Sequence, residues 1–190
     1  MMKKALLVID FINDIVHPDG KIPSCAAHVQ EQNAITHANQ ALAYARKNDW
    51  LVILVKVGFE SHYYAQPKNS PIFGLANQYK ALQLGCFGTE FHDDLDVQTS
   101  DFIIEKPRIS PFYGTPLEAV LRANRIEHVY LAGVSTTLAI QSTTRDAHDR
   151  DYKVTIIEDA CAADSQQTHQ QSIELLSRLA EVIRVEQLTC

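Results

Sequence analysis

The sequence is poor in several features that would place a protein quickly. It holds four cysteines in 190 residues, Cys25, Cys86, Cys161 and Cys190, and no CxxC pair. That count and spacing argue against a disulfide framework or a structural zinc site, so the four read as reduced thiols. Basic residues are outnumbered: 17 Lys and Arg stand against 23 Asp and Glu, a formal net charge of −6, and no basic face can be read. No nucleic-acid partner is expected. No apolar run approaches the length that spans a bilayer, so no membrane association is expected either. Met1-Met2-Lys3-Lys4 followed by residues 5–9 has the outline of a signal peptide, but Asp10 interrupts it early, with Asn13 and Asp14 behind it. A cytoplasmic protein is the expectation.

Further absences remove the better-known α/β sites. No GxGxxG follows the first apolar run and no GxxxxGK[ST] occurs, so dinucleotide and P-loop binding lose their main support. Asp10-Phe11-Ile12 lacks the second aspartate of a DxD phosphotransferase loop. A receiver-type phosphoacceptor site needs an acidic pair near the first strand and an aspartate ending the third, and neither is there. Gly133-Val134-Ser135-Thr136-Thr137 lacks the second glycine of a GxSxG elbow. No cofactor is expected.

What the chain does have is a hydrophobic fraction of 46% in a length suited to one domain, taken as residues 1–190. Residues 5–9 form a continuous apolar run, as in a strand covered on both faces. Ile35, Ala38, Leu42 and Ala45 repeat at helical spacing, which predicts a helix around residues 32–48. Residues 51–57 and 101–105 read as strands. Thr115-Pro116-Leu117-Glu118 predicts a helix start in which Thr115 caps and Glu118 reaches back. Strands at 128–132, 153–157 and 182–185 then alternate with helices at 136–150 and after Asp164-Ser165. With no hairpin signal, this rhythm predicts an α/β, three-layer αβα, Rossmann-like fold on an open, mostly parallel sheet of about six strands. Residues 58–98 break the rhythm, being long, weakly periodic and rich in aromatics, Pro and Gly. They shape a binding site or interface, or else form a surface excursion with a short helix near residues 77–82.

In an open parallel sheet, ligands bind beyond the carboxyl ends of the strands. Asp10 ends the first strand, Lys106 the third, and Gly133-Val134-Ser135-Thr136 ends the fourth and opens a helix. A carboxylate and an ammonium reaching one crevice can handle protons, and a helix N-terminus offers N–H groups to an anion. Each residue alone has a plainer reading, as a turn aspartate or a solvated lysine.

Together they become specific. Val8-Ile9-Asp10-Phe11-Ile12-Asn13-Asp14 resembles the "VIDxQND" opening of isochorismatase-like (cysteine) hydrolases. Lys106, followed by Ser110-Pro111-Phe112-Tyr113-Gly114-Thr115-Pro116-Leu117, is similar to their "KxxxSAFxGTxL" segment. Leu131-Ala132-Gly133-Val134-Ser135-Thr136, running on to Arg145-Asp146-Ala147, resembles "LxGVxTNxCVxSTARDA", and Glu158-Asp159-Ala160-Cys161 matches "EDAC". The motifs fall in order across residues 4–185.

The resemblance implies a triad of aspartate, lysine and cysteine, onto which Asp10 and Lys106 map, while Ala139 stands at the nucleophile position. It also implies a cis peptide between Val134 and Ser135, and a small-molecule substrate bound near Phe11, Tyr113, Val134, Ser135, Thr136 and Leu138. Aromatics of the long segment, Phe59, Tyr63 and Phe87, are further candidate wall residues. Ile12 replaces the family's glutamine. No metal is expected, since His62 stands alone where the nicotinamidase branch has a "DxHxxxH"-like pattern. Three activities remain open: a hydrolase without a covalent intermediate, of the vinyl-ether-cleaving kind; a cysteine amidohydrolase lacking its nucleophile; and a non-catalytic binding protein. In the first, Asp10 is the general acid, Lys106 binds a substrate carboxylate or steadies Asp10, and N–H groups near Leu138 and Ala139 line the pocket. A homodimer or homotetramer is implied.

Overall fold

The computed structural model describes residues 2–189, in which the apolar runs become one six-stranded sheet. The strands are β1 (Lys3–Ile9), β2 (Leu51–Val57), β3 (Phe102–Lys106), β4 (Ile126–Val134), β5 (Lys153–Ala162) and β6 (Glu181–Ile183). Their order is β3-β2-β1-β4-β5-β6, and every neighbouring pair is parallel. The helices are α1 (Asn13–Val16), α2 (Ala26–Glu31), α3 (Ala34–Lys47), α4 (Ala76–Tyr79), α5 (Leu117–Ala123), α6 (Gln141–His148) and α7 (Gln166–Leu176).

Successive strand residues point to opposite faces, so each buried strand feeds two cores. Leu6, Val8, Val52 and Leu54 pack against Ala38, Leu42 and Ala45 of α3. Ala5, Leu7, Ile9 and Val55 face the other way, against Leu117 and Leu121 of α5, Ala147 of α6 and Leu176 of α7. This is the expected three-layer α/β architecture, and it explains why β1 reads as an unbroken apolar run.

The strand order reverses at β1, whose neighbours are β2 on one side and β4 on the other. A crevice opens at such a reversal because the chains leaving the two central strands turn to opposite sides of the sheet. Gly133 makes the approach there very close. It pairs with Ile9 at φ +124, and a β-carbon on it would lie 2.1 Å from the Ile9 carbonyl oxygen. Only glycine fits.

Several local expectations are corrected. β4 and β5 run past residues 132 and 157 to Val134 and Ala162, because a register shift after Leu131 lets pairing resume at Gly133 and Cys161. The helix expected from Thr136 begins as a π-helical turn, Thr136–Ile140, before α6. The reciprocal cap at Thr115 forms only by half. Thr115 Oγ1 accepts the Leu117 N–H at 3.1 Å, but Glu118 turns away to accept a charge-assisted hydrogen bond from Arg122 at 2.8 Å and to form an ion pair with Arg150 at 3.0 Å.

The long segment after β2 packs its own apolar cluster, including Phe59, Tyr63, Phe73 and Leu82, over Ile12 and Val57. Its helical turn is α4, slightly before the predicted place. Two polar residues behind Asp10 hold it down. Asn13 donates through Nδ2 to the Phe87 carbonyl at 3.0 Å, and Asp14 accepts the Leu82 N–H at 2.6 Å and the Lys21 N–H at 3.1 Å. Gly88 lies against that carboxylate, where a β-carbon would come within 2.3 Å.

Candidate active site

Asp10 continues the β1 ladder by one bond, its N–H donating to Val55 O at 2.8 Å, and then takes the left-handed conformation at φ +59. Aspartate tolerates that conformation better than most residues. The turn sends the carboxyl sideways over the end of β2, where Oδ1 accepts the Val57 N–H at 2.8 Å. Val57 is in register with Lys106 on β3, so the lysine, last in its strand, reaches across β2 to the same carboxyl. Lys106 Nζ stands 2.7 Å from Asp10 Oδ2, and both residues are buried.

The lysine has no donor to spare. An ammonium carries three N–H groups. One meets Asp10 and the others donate to Arg108 O at 3.2 Å and Ile109 O at 2.9 Å. Of the two roles implied for Lys106, steadying Asp10 is the one its geometry accommodates. Burial raises the Asp10 carboxyl above the ordinary aspartate range, against the downward pull of the Lys106 ammonium and the Val57 N–H.

Asp10 and Lys106 border a cavity of about 110 Å³. Val134, Ser135, Leu138 and Ala139 line it, and Ala139 is 3% exposed. The Val134–Ser135 peptide is cis. Ile15, Phe73, Leu82 and Ile109 line it too, which sequence reasoning did not single out. The long segment therefore supplies wall residues, but different ones from those expected.

Phe11, Tyr113 and Thr136 lie off this cavity. Phe11 turns into the α3-side core, because the residue after Asp10 faces the other way. Tyr113 is 60% exposed, with the Arg108 guanidinium 5.3 Å over its ring. Thr136 is fully buried, donating to Ala162 O at 3.0 Å and bonded to His169 Nδ1 at 2.8 Å. Phe59 and Tyr63 belong to the long segment's own cluster, and Phe87 is half exposed. The Leu138 N–H is engaged with Ser135 O at 3.2 Å.

Cys25 is the chemically notable wall residue that the sequence did not mark. It precedes α2, and nothing in Pro23-Ser24-Cys25 announces a pocket. Burial pushes its thiol up to about 11, with the Asp164 and Asp10 carboxyls adding to the rise, so little thiolate exists at neutral pH. Cys161 is fully buried and its thiol is raised further, again by burial. Cys86 is exposed, and Cys190 lies outside the described residues. Among the described residues no group of three or more His, Cys, Asp and Glu is arranged to hold a metal ion, and His62 is exposed beside Tyr64. No helix among them is long and apolar enough to cross a membrane.

Comparison with known proteins agrees with this fold. The model of the isochorismatase domain matches residues 4–187. Among solved structures, an isochorismatase family protein from Desulfovibrio vulgaris superimposes with a TM-score of 0.88 at 22% identity, over 100% of this chain and 97% of its own. An N-carbamoylsarcosine amidase from Thermoplasma acidophilum gives 0.77 at 26% identity, covering 97% and 98%. A pyrazinamidase/nicotinamidase from Streptococcus mutans gives 0.77 at 26%, covering 95% and 100%.

Proposed function

Because this chain belongs to the isochorismatase family, we propose that it hydrolyses a small molecule without a covalent thiol intermediate, Asp10 moving the proton. One observation carries the reading: Asp10, Lys106 and Ala139 border a single cavity, and at the position where the resemblance places a nucleophile there is only a methyl group. Burial displaces Asp10 upward, toward the range in which a carboxyl can deliver a proton to a bound substrate. Lys106 suits the next moment. When Asp10 gives up the proton, the ammonium 2.7 Å away stabilises the carboxylate left behind.

Vinyl-ether cleavage fits these parts. The Asp10 carboxyl protonates the terminal carbon of the double bond, forming a C–H bond and an oxocarbenium ion. Water adds to the cationic carbon and returns a proton to Asp10. The hemiketal then breaks its C–O bond to release a carbonyl compound and an alcohol. The test uses a panel of alkyl vinyl ethers. Turnover is expected to fall by about 10²–10⁴-fold in Asp10→Asn, to persist in Cys25→Ala, and to slow in deuterated water. An unchanged rate in Asp10→Asn, or lost turnover in Cys25→Ala, overturns the mechanism.

A second reading is supported by the two amidases among the 26%-identical structures. In it, the pocket is that of an amidohydrolase with its nucleophile replaced. Ala139→Cys is then expected to create hydrolysis of small primary amides that iodoacetamide abolishes. A folded Ala139→Cys protein silent across such a panel removes this reading.

A further inference from the structure

The cavity beside Asp10 also constrains the charge of what enters it. Its walls are largely aliphatic, from Ile15, Ile72, Ile109 and Val134 among others, and among the described residues the only charged side chains on them are Asp10 and Lys106. These two are committed to each other, and the remaining Lys106 hydrogens go to Arg108 O and Ile109 O. The cations adjacent in sequence to the wall do not line the cavity and are directed to backbone carbonyls. Arg108, beside Ile109, donates to Ala65 O at 2.8 Å and Pro107 O at 2.6 Å, and Lys21, beside Ile22, donates to Lys80 O. A carboxylate or phosphate inside the cavity would meet no unpaired cation on its walls, and would lie next to the Asp10 carboxyl. Burying an unpaired anion is strongly unfavourable.

Size narrows the class further. An apolar cavity of about 150 Å³ holds benzene, so about 110 Å³ takes on the order of five non-hydrogen atoms. Three of its apolar lining residues, Ile22, Ile72 and Leu138, are partly exposed and mark its mouth as apolar, so a longer aliphatic tail can extend outward past them. Asp10 keeps acceptor capacity toward the cavity, since each carboxyl oxygen accepts one hydrogen bond of the two it can take.

We propose that the substrate is a small, uncharged, mainly aliphatic molecule, and that carboxylate and phosphate substrates are excluded. The proposal rests on the reading of the Asp10 cavity as the substrate site. It is tested by binding rather than turnover, with shape-matched probes at pH 7: propionamide and butyramide against propionate and butyrate. In methyl NMR of the full chain, the amides are expected to shift the Ile72, Ile109 and Leu138 methyls. The carboxylates should need concentrations at least about tenfold higher, a penalty of about 1.4 kcal/mol or more. Ala139→Leu, whose side chain would occupy the cavity, should remove the amide response. If that variant does not fold, Leu138→Trp at the mouth should weaken it.

Carboxylates binding as well as the amides, neither series shifting these methyls, or an amide response that survives both substitutions would each overturn the proposal. The outcomes separate it from the mechanism. Neutral probes that bind without Asp10-dependent turnover leave the substrate class standing and remove the general acid. Asp10-dependent turnover with carboxylates preferred does the reverse.

Discussion

Lys106 Nζ and Asp10 Oδ2 stand 2.7 Å apart between residues that are 1% and 3% exposed, joined across a strand to which neither belongs. A buried pair of this kind gains little over an apolar replacement, whereas removing one partner strands a charge. Lys106→Met is therefore expected to lower stability by about 3–5 kcal/mol at pH 7. The double variant Asp10→Leu/Lys106→Met should recover most of that loss. Urea denaturation of the three proteins checks both statements. A single variant as stable as the parent would mean that Asp10 is held neutral without its partner.

Gly133→Ala tests the closeness of β1 and β4. At φ +124 with Ile9 O 2.1 Å from the added carbon, both strain and overlap oppose the substitution. Together they are expected to cost about 3 kcal/mol or more. Calorimetric unfolding reads the cost, and a change within about 0.5 kcal/mol would contradict the close approach.

Asp14→Ala should loosen the long segment more than the sheet. The carboxylate accepts N–H groups from Leu82 and Lys21, and hydrogen bonds to a charged group contribute about 1.5–3 kcal/mol each. Limited proteolysis is expected to cut within residues 58–98 of the variant well before it cuts the parent. Identical cleavage rates would show that the cluster around Phe59 holds the segment unaided.

Acid sensitivity should come partly from His169 and His128. Burial lowers both to about 4 from 6.5, helped by His28 in the first case and by Lys153 and Lys4 in the second. Between those pH values the unfolded chain binds protons that the folded one refuses, so stability falls as pH drops from about 6.5 to about 4 and is restored above that window. Each histidine is worth up to about 3 kcal/mol across it. Urea midpoints measured through this range should fall less steeply in His128→Gln than in the parent. An equal slope would show that His128 stays accessible to protons.

The layered architecture was legible in the sequence because burial of a strand on both faces leaves an unbroken apolar run, as at residues 5–9. The motifs placed Asp10 and Lys106 at strand ends and Ala139 in the helical turn that follows β4, and the structure puts all three on one cavity. Strand lengths were less legible. The register shift after Leu131 that extends β4 and β5 depends on pairing between distant strands. Glu118 was misassigned because two arginines draw it from the local cap, Arg122 one turn along and Arg150, which is remote in sequence.

The sequence by itself determined the alternation of strands and helices and the crevice-facing strand ends, because these follow from local periodicity and residue type; it was the family resemblance that implied a nucleophile position at Ala139. Only the tertiary structure decided who completes the site. Phe11 left the pocket because side chains alternate across the sheet, while Cys25, Phe73 and Leu82 entered it from segments that the chain brings back by folding. It also decided that Lys106 spends its hydrogens on Asp10 and two carbonyls, which a sequence cannot express because hydrogen-bond satisfaction is a property of three-dimensional neighbours.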